Sequence, residues 1–359
     1  MSDSTPERAW RVEGFRPGDE ADILALFRAE FGRERTRAHW EWKFLHNPFG
    51  GPFISLAWHT PDRFLVGNQV LMPVPLCVRG EQVLAGHSLD LVVHHDFRRQ
   101  GVFEHTAKHA FAHLGDSGGA ALVAFPNASS YPGFVRTLGW KRLVEPSYWT
   151  LRLSIASKLT AKVRVAPLAR LLDLPIRMAA SRALAARLAA SRAATSAFSI
   201  EHGETLPTGV DTLWDRQRVE ETLSVWKDAR YLDWRYVRHP EARFRFHALR
   251  RSGVLEGLAV SVIRSGIGLV CELIVPGREI ARGQRLVREM CEDLRTRGAE
   301  EVHFLGADRG FFAAALADFT HRPAPGNVFV GRALTDEALT ALMADASHWT
   351  LTYGDGDFV

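Results

Sequence analysis

Cysteine is scarce: Cys77, Cys271 and Cys291 are the only three in 359 residues, too few and too scattered for a disulfide framework or a zinc knuckle. No metal is expected. No stretch of 18 or more uninterrupted apolar residues exists, so no membrane span is expected either. The opening MSDSTPERAWRVEGF is polar and acidic and has no apolar h-region, which argues against a secretory signal and for the cytoplasm. Two phosphate-binding patterns are also missing. Neither G-x-x-x-x-G-K-S/T nor G-x-G-x-x-G opening a helix occurs, which argues against P-loop and dinucleotide-binding folds.

What is present is the composition of an ordinary globular protein, 46% hydrophobic and 24% charged. A chain this long exceeds the size at which one core usually keeps growing, so two domains are expected. The formal net charge is +4, and the excess is local: Arg152 to Arg192 holds nine Lys or Arg against one acid, Asp173. Such a stretch reads first as solvated helix faces, with weak contact to an anionic membrane surface as the other reading. Arg177, Arg182, Arg187 and Arg192 recur every five residues, which scatters them around a helix. Pro175 predicts a break between two helices here. No nucleic-acid partner is favoured, and nothing in the sequence sets an oligomeric state.

Elsewhere helices alternate with strands. RAWRVEGF suits a strand, and GDEADILALFRAEF has helical spacing at Ile23, Leu24, Leu26 and Phe27. Phe64 to Val93 reads as a strand meander turning at RGEQ, GVFEHTAKHAFAHL as an amphipathic helix, and AALVAF as a buried strand. The fold class is α/β, with a mixed α+β sheet. An internal repeat sharpens this. WKFLHNP, Trp42 to Pro48, is echoed by WRYVRHP, Trp234 to Pro240; DLVV from Asp90 is echoed by ELIV from Glu272. Gly101 and Gly283 each lie eleven residues beyond the carboxylate. Three matches in one order argue for a duplicated α/β unit. The expected organisation is a first copy over 1–150, a basic helical insert over 151–204, and a degenerate second copy with a C-terminal tail over 205–359.

The strand ending in Leu91, Val92 and Val93 runs into Arg98-Arg99-Gln100-Gly101-Val102-Phe103 and then a helix. A glycine-bearing corner at a helix N-terminus aims backbone N–H groups at one point, and two arginines can add charge-assisted bonds. The corner is an expected diphosphate cradle. It resembles the pyrophosphate loop of the GNAT superfamily of acyl-CoA N-acyltransferases, R/Q-x-x-G-x-G/A, except that Phe103 replaces the small residue. Asn127, Ser129, Ser130 and Leu138-Gly139-Trp140 follow in that family's order, and the duplication is similar to tandem GNAT proteins. The resemblance implies two tandem GNAT-like domains joined by a helical insert. It implies acetyl-CoA or another acyl-CoA as co-substrate, with pyrophosphate on Arg98 to Phe103, pantetheine along Leu91 to Val93, and Asn127 and Ser129 bonding the arm or thiol.

A primary amine of a small molecule (an amino sugar, an aminoglycoside-like compound or a peptide amine) would then attack the thioester directly. Asp90 is the candidate base. The family's usual tyrosine acid falls on Val135, leaving Tyr131 as the nearby donor. In the second copy Ile280 stands opposite Arg98, and Gln284-Arg285 opposite Val102-Phe103, so that copy is expected not to bind CoA; Glu272 is expected to face an acceptor pocket. The tail residues Asp355 and Asp357 either cover a site or fray. Two alternatives stay open: an aminoacyl-tRNA-dependent transferase of the peptidoglycan type, and a non-catalytic acyl-CoA-binding module.

Overall fold

The computed structural model describes residues 8–156, 159 and 166–358. Lys158, Lys162 and Arg164 of the basic stretch lie outside the described residues. The first half runs β1 (Trp10–Gly14), α1 (Glu20–Phe31), α2 (Arg37–Phe44), β2 (Phe53–His59), β3 (Leu65–Val78), β4 (Glu81–Val93), α3 (Val102–Asp116), β5 (Ala121–Ala124), a π-helical turn (Gly133–Thr137), β6 (Lys141–Val144) and β7 (Ser147–Arg152). Then come α4 (Ala166–Ala194), β8 (Ser199–Gly203), α5 (Val210–Arg218), β9 (Leu223–Val225), the short α6 (Ala229–Leu232), a second π-helical turn (Asp233–Val237), β10 (Arg245–Arg251), β11 (Val254–Arg264) and β12 (Ile267–Ile274). The chain closes with α7 (Ile280–Thr296), β13 (Glu301–Gly306), α8 (Gly310–Ala315), β14 (Thr320–Pro323), β15 (Phe329–Ala333), α9 (Glu337–Ala344) and β16 (Trp349–Thr350).

Two mixed sheets result, one ordered β1-β2-β3-β4-β5-β15-β6 with β9 and β16 beyond β3, the other β14-β7-β13-β12-β11-β10-β8. Each half lends a strand to the other's sheet. β7 pairs with β13 and β14, while β15 lies between β5 and β6. One buried core joins residues of both halves, from Trp40 and Ile54 to Leu258 and Val260.

β3 is almost wholly buried although it carries Pro73 and Pro75. β2 pairs with it as far as Leu71 and β9 from Leu76 to Val78, so both prolines fall in the gap on that edge.

The repeated WKFLHNP and WRYVRHP segments meet face to face. The Trp42 and Trp234 rings stack with centroids 5.4 Å apart, and each indole N–H donates to the other's backbone carbonyl, at 2.9 and 3.2 Å. The turns that follow are also alike: Asn47 Oδ1 accepts from the Phe49 amide, and His239 Nδ1 from the Glu241 amide.

Pro175 breaks nothing. α4 is one helix of 29 residues that carries the proline inside. The bond Pro175 cannot make would go to Leu171, which is 64% exposed, so water can replace it. Gly283 also differs from the expectation, lying one turn inside α7 against Phe311 instead of in the loop before it.

Candidate active site

β4 is the axis of the site. It pairs in parallel with β5 only over Ala85–His87, opposite Ala121–Val123, and from Ser88 onward the two strands part. On its other edge the register with β3 slips: Leu89 faces Val70 but Val92 faces Asn68, so Asp90 and Leu91 together oppose Gln69. This is a β-bulge, and Asp90 takes a left-handed φ of 47°. Asn68 Nδ2 holds the Asp90 carbonyl at 3.1 Å, and the Asp90 carboxylate forms an ion pair with Arg35. The bulge therefore opens the strand, and the backbone of Leu91 to Val93 has no β5 partner.

After β4 a tight turn over His95–Phe97 leads to the expected cradle. Phe97 anchors it by packing with His59 and Phe64. Arg99 and Gly101 adopt left-handed φ values of 61° and 83°. The first bond of α3 runs from the His105 amide to the Gly101 carbonyl at 3.1 Å, so the amides of Val102, Phe103 and Glu104 have no acceptor within the helix. Gln100 Nε2 ties the loop to the Asp96 carbonyl at 2.8 Å. The Phe103 ring packs on Phe134 and fills the space a Gly133 side chain would take.

Arg98 is 58% exposed, and its guanidinium reaches Glu30 at 2.6 Å. Burial pushes the Glu30 carboxyl up, but hydrogen bonds from His95 and the charge of Arg98 outweigh it and hold it below the usual carboxylate value. Arg99 is exposed and has no ion-pair partner among the described residues.

Beyond β5, Asn127 Oδ1 accepts from the amides of Ser129 and Ser130 at 3.0 Å each. Its oxygen is thus used in capping the turn, leaving only Nδ2 to face a ligand. Ser129 is exposed. Tyr131 and Phe103 each pack against the apolar cluster under α3.

Three cations escaped the sequence reading as site residues: Arg35, Lys43 and Arg235. Lys43 and Arg235 are the middle residues of the repeated aromatic-cation-aromatic triplets, and both are buried. Each grips the C-terminal tail. Lys43 Nζ binds the Asp357 carboxylate, and Arg235 donates to the carbonyls of Gly354 and Gly356 at 3.3 and 2.8 Å. Phe358 packs on Phe125, just past the end of β5. The tail therefore neither frays nor lies outside; it fills the space beside the parted strands. Burial lowers the Lys43 ammonium to about 8. The Asp357 carboxyl is pushed up by burial, but the Lys43 charge and hydrogen bond outweigh this and bring it to about 2.

The second copy is arranged differently. Glu272 is fully buried and satisfied by Lys227, by the Tyr236 hydroxyl at 2.6 Å and by the Thr352 hydroxyl at 2.9 Å. It does not face an open acceptor pocket, because Lys227 also binds Asp355 at 2.8 Å and the tail seals the cluster. A cavity of about 220 Å³ lies beside it, where β12 and β13 part, lined by Leu273, Phe311, Phe312 and Trp349 among others. Its loop, 275–279, is shorter than the 94–101 of the first copy. The amide of Gly277 there already donates to Glu220 at 2.7 Å, so a protein carboxylate sits where an anion would bind.

A family profile, the acetyltransferase (GNAT) domain, matches residues 11–143. No curated protein matches the sequence. Solved structures share the fold at low identity. One is a conserved protein of unknown function from Enterococcus faecalis V583, a probable N-acyltransferase: 14% identical, TM-score 0.61, covering 91% of this chain and 73% of that one. Another is a GCN5-related N-acetyltransferase from Kribbella flavida, 15% identical, TM-score 0.58, with coverage of 90% and 72%. A third, a tandem GNAT protein from the clavulanic acid biosynthesis pathway, is 15% identical with a TM-score of 0.52 and coverage of 91% and 99%. Residues 11–143 therefore match an acetyltransferase (GNAT) domain, and the chain as a whole shares the fold of these structures, a tandem GNAT protein among them.

Proposed function

We propose that the first copy binds acyl-CoA, probing as acetyl-CoA, and transfers the acyl group to a primary amine of a small molecule. The observation that carries this reading is the parting of β4 and β5 beside the bulge at Asp90, directly upstream of a helix N-terminus with unengaged amides. The diphosphate rests on Arg98 to Phe103, with Arg98 and Arg99 as cations. The pantetheine arm adds to the free edge of Leu91 to Val93. The thioester then lies near Asp90 and Phe125, and the amine attacks its carbonyl carbon. The C–N bond forms as the C–S bond breaks, and the thiolate leaves with the electron pair.

The Asp90 carboxylate, held in place by its ion pair with Arg35, is suited to orient an ammonium and pass its proton to water. Tyr131 is the proposed proton donor to the thiolate. Glu272, sealed by Lys227, has no part in the chemistry. The second copy serves as a scaffold and does not bind CoA, since Glu220 fills its loop.

Acetyl-CoA is expected to raise the melting midpoint, and Arg98→Ala and Gly101→Trp to remove that shift. Free thiol is expected to appear with acetyl-CoA and some member of an amine panel. No shift at millimolar CoA and no thiol with any amine would end this reading.

A further inference from the structure

Glu30, near the end of α1, meets the adjacent pair His94-His95, just past β4. Each of the three offers a metal-ligating atom, and these atoms lie within 4.8 Å of one another, the only such trio of His, Cys, Asp or Glu among the described residues. The Glu30 side chain is 6% exposed, those of His94 and His95 23% and 64%. A sunken carboxylate thus has two imidazoles at its rim. Scarce cysteine argues against a thiolate zinc knuckle, but leaves a histidine–carboxylate site open.

Each group is held in place. His95 Nδ1 lies 2.9 Å from Glu30 Oε1, which also accepts from the His95 amide at 3.1 Å. Arg98 donates to Oε2 at 2.6 Å and fixes the carboxylate from its other side. The His94 ring stacks on His95 with centroids 4.3 Å apart, and Phe64 and Phe97 pack edge-on against it at 6.0 and 5.9 Å. The Asp96 amide reaches His94 Nδ1 at 3.3 Å. The Asp96 carboxylate, 70% exposed, lies 3.9 Å from His94 Nδ1 and 3.5 Å from His95 Nε2. Metal–nitrogen and metal–oxygen bonds of about 2.0–2.2 Å set neighbouring donors about 2.8–3.5 Å apart. The separation of His95 Nδ1 from Glu30 Oε1 falls in that range, so an ion can take the place of the proton they share. The other separations close with about 1 Å of movement in rim side chains.

We propose that Glu30, His94 and His95 form a binding site for a divalent transition-metal ion of the zinc type, with Asp96 supplying a fourth ligand. Two imidazole nitrogens with carboxylate oxygen suit zinc, nickel or cobalt, and not magnesium or calcium, which prefer oxygen alone. The carboxylates of Glu30 and Asp96 offset the charge of the ion. Once bound, it pins the turn after β4 to α1, directly ahead of the Arg98–Phe103 corner. The site stands apart from the acyl-transfer reading, since none of its three ligands holds the diphosphate, the pantetheine arm or the amine there.

The test is calorimetric titration of the metal-free full chain with zinc and, separately, with magnesium, in the absence of CoA. One zinc ion per chain is expected to bind at micromolar concentration, with no heat from magnesium, and zinc is expected to raise the melting midpoint. His94→Ala with His95→Ala, and separately Glu30→Gln, are each expected to weaken zinc binding by about tenfold or more and to remove the rise in midpoint. Glu30→Gln keeps the shape of the side chain, so it decides the matter if the double variant fails to fold. His46→Ala, at an exposed histidine elsewhere, is expected to change nothing. Absence of zinc binding at micromolar concentration, an equal response to magnesium, or a zinc titration that Glu30→Gln leaves unchanged overturns the proposal.

Discussion

Replacing Glu30 by Gln separates a working phosphate cradle from an ordinary surface turn. Arg98 spends its guanidinium on Glu30, whose side chain is only 6% exposed. If diphosphate binds at this corner, it must do so beside a fixed negative charge and compete for the same arginine. A unit charge about 6 Å from a phosphate, at an effective permittivity between about 40 and 80, costs about 0.7–1.4 kcal/mol. Glu30→Gln is therefore expected to tighten CoA binding by about three- to tenfold at low salt, and less as ionic strength rises. Arg98→Ala acts in the opposite direction. It removes charge-assisted bonds worth about 1.5–3 kcal/mol, so binding weakens by about ten- to a hundredfold. Isothermal titration with CoA measures both, and pantetheine, which lacks the diphosphate, is the control that neither change affects. If Glu30→Gln weakens CoA binding, or if pantetheine responds as strongly as CoA, the diphosphate does not lie at Arg98.

The tail and the repeat yield three further expectations. Asp357→Asn leaves Lys43 buried without its anion and is expected to cost about 3–5 kcal/mol in urea denaturation. Lys43→Met in the same chain should recover much of that loss. Because the Asp357 carboxyl falls to about 2 in the folded protein, below its value in an unfolded chain, its contribution is complete above about pH 4 and is lost as the pH falls toward about 2. Melting curves across that window should show the loss, and Asp357→Asn should flatten it. Trp42→Ala and Trp234→Ala are each expected to cost about 3–5 kcal/mol, with a double variant well short of the sum because they share one stack and two hydrogen bonds.

The parts of this site that were legible in the sequence are local. A strand, a glycine in a left-handed corner and an amphipathic helix are written in adjacent residues, and the structure has them in that order at Leu91, Gly101 and Val102. The duplication was legible too, because Trp42 and Trp234 keep the same neighbours. The repeat also carried a clue that went unread. A cation fixed between two aromatics in both copies is an unusual thing to bury, and the pairing of Lys43 and Arg235 with the tail explains why it recurs. The register of the second loop failed for a physical reason. The carboxylate-to-glycine spacing equates Gly101 with Gly283, yet the shorter second loop starts α7 at Ile280, and Gly283 is small only to admit Phe311.

What sequence patterns could not carry was partner choice over long separations. β7 and β15 each have the alternation of a strand, and nothing in that alternation says which sheet will accept them. Their exchange makes β15 the bridge between β5 and β6, and β7 the bridge between β13 and β14. The same holds for the tail. Its glycines and acids fit a tail that covers a site as well as one that frays, and only the cations buried at Lys43 and Arg235 turn it inward against Phe125. Both features act at one place. The strand that bridges β5 and β6 in the first sheet and the segment that packs on Phe125 beside the parted strands come from the second half of the chain. The second copy therefore contributes to the proposed acyl-transfer site through what it lends to its neighbour, and its own filled loop costs that site nothing.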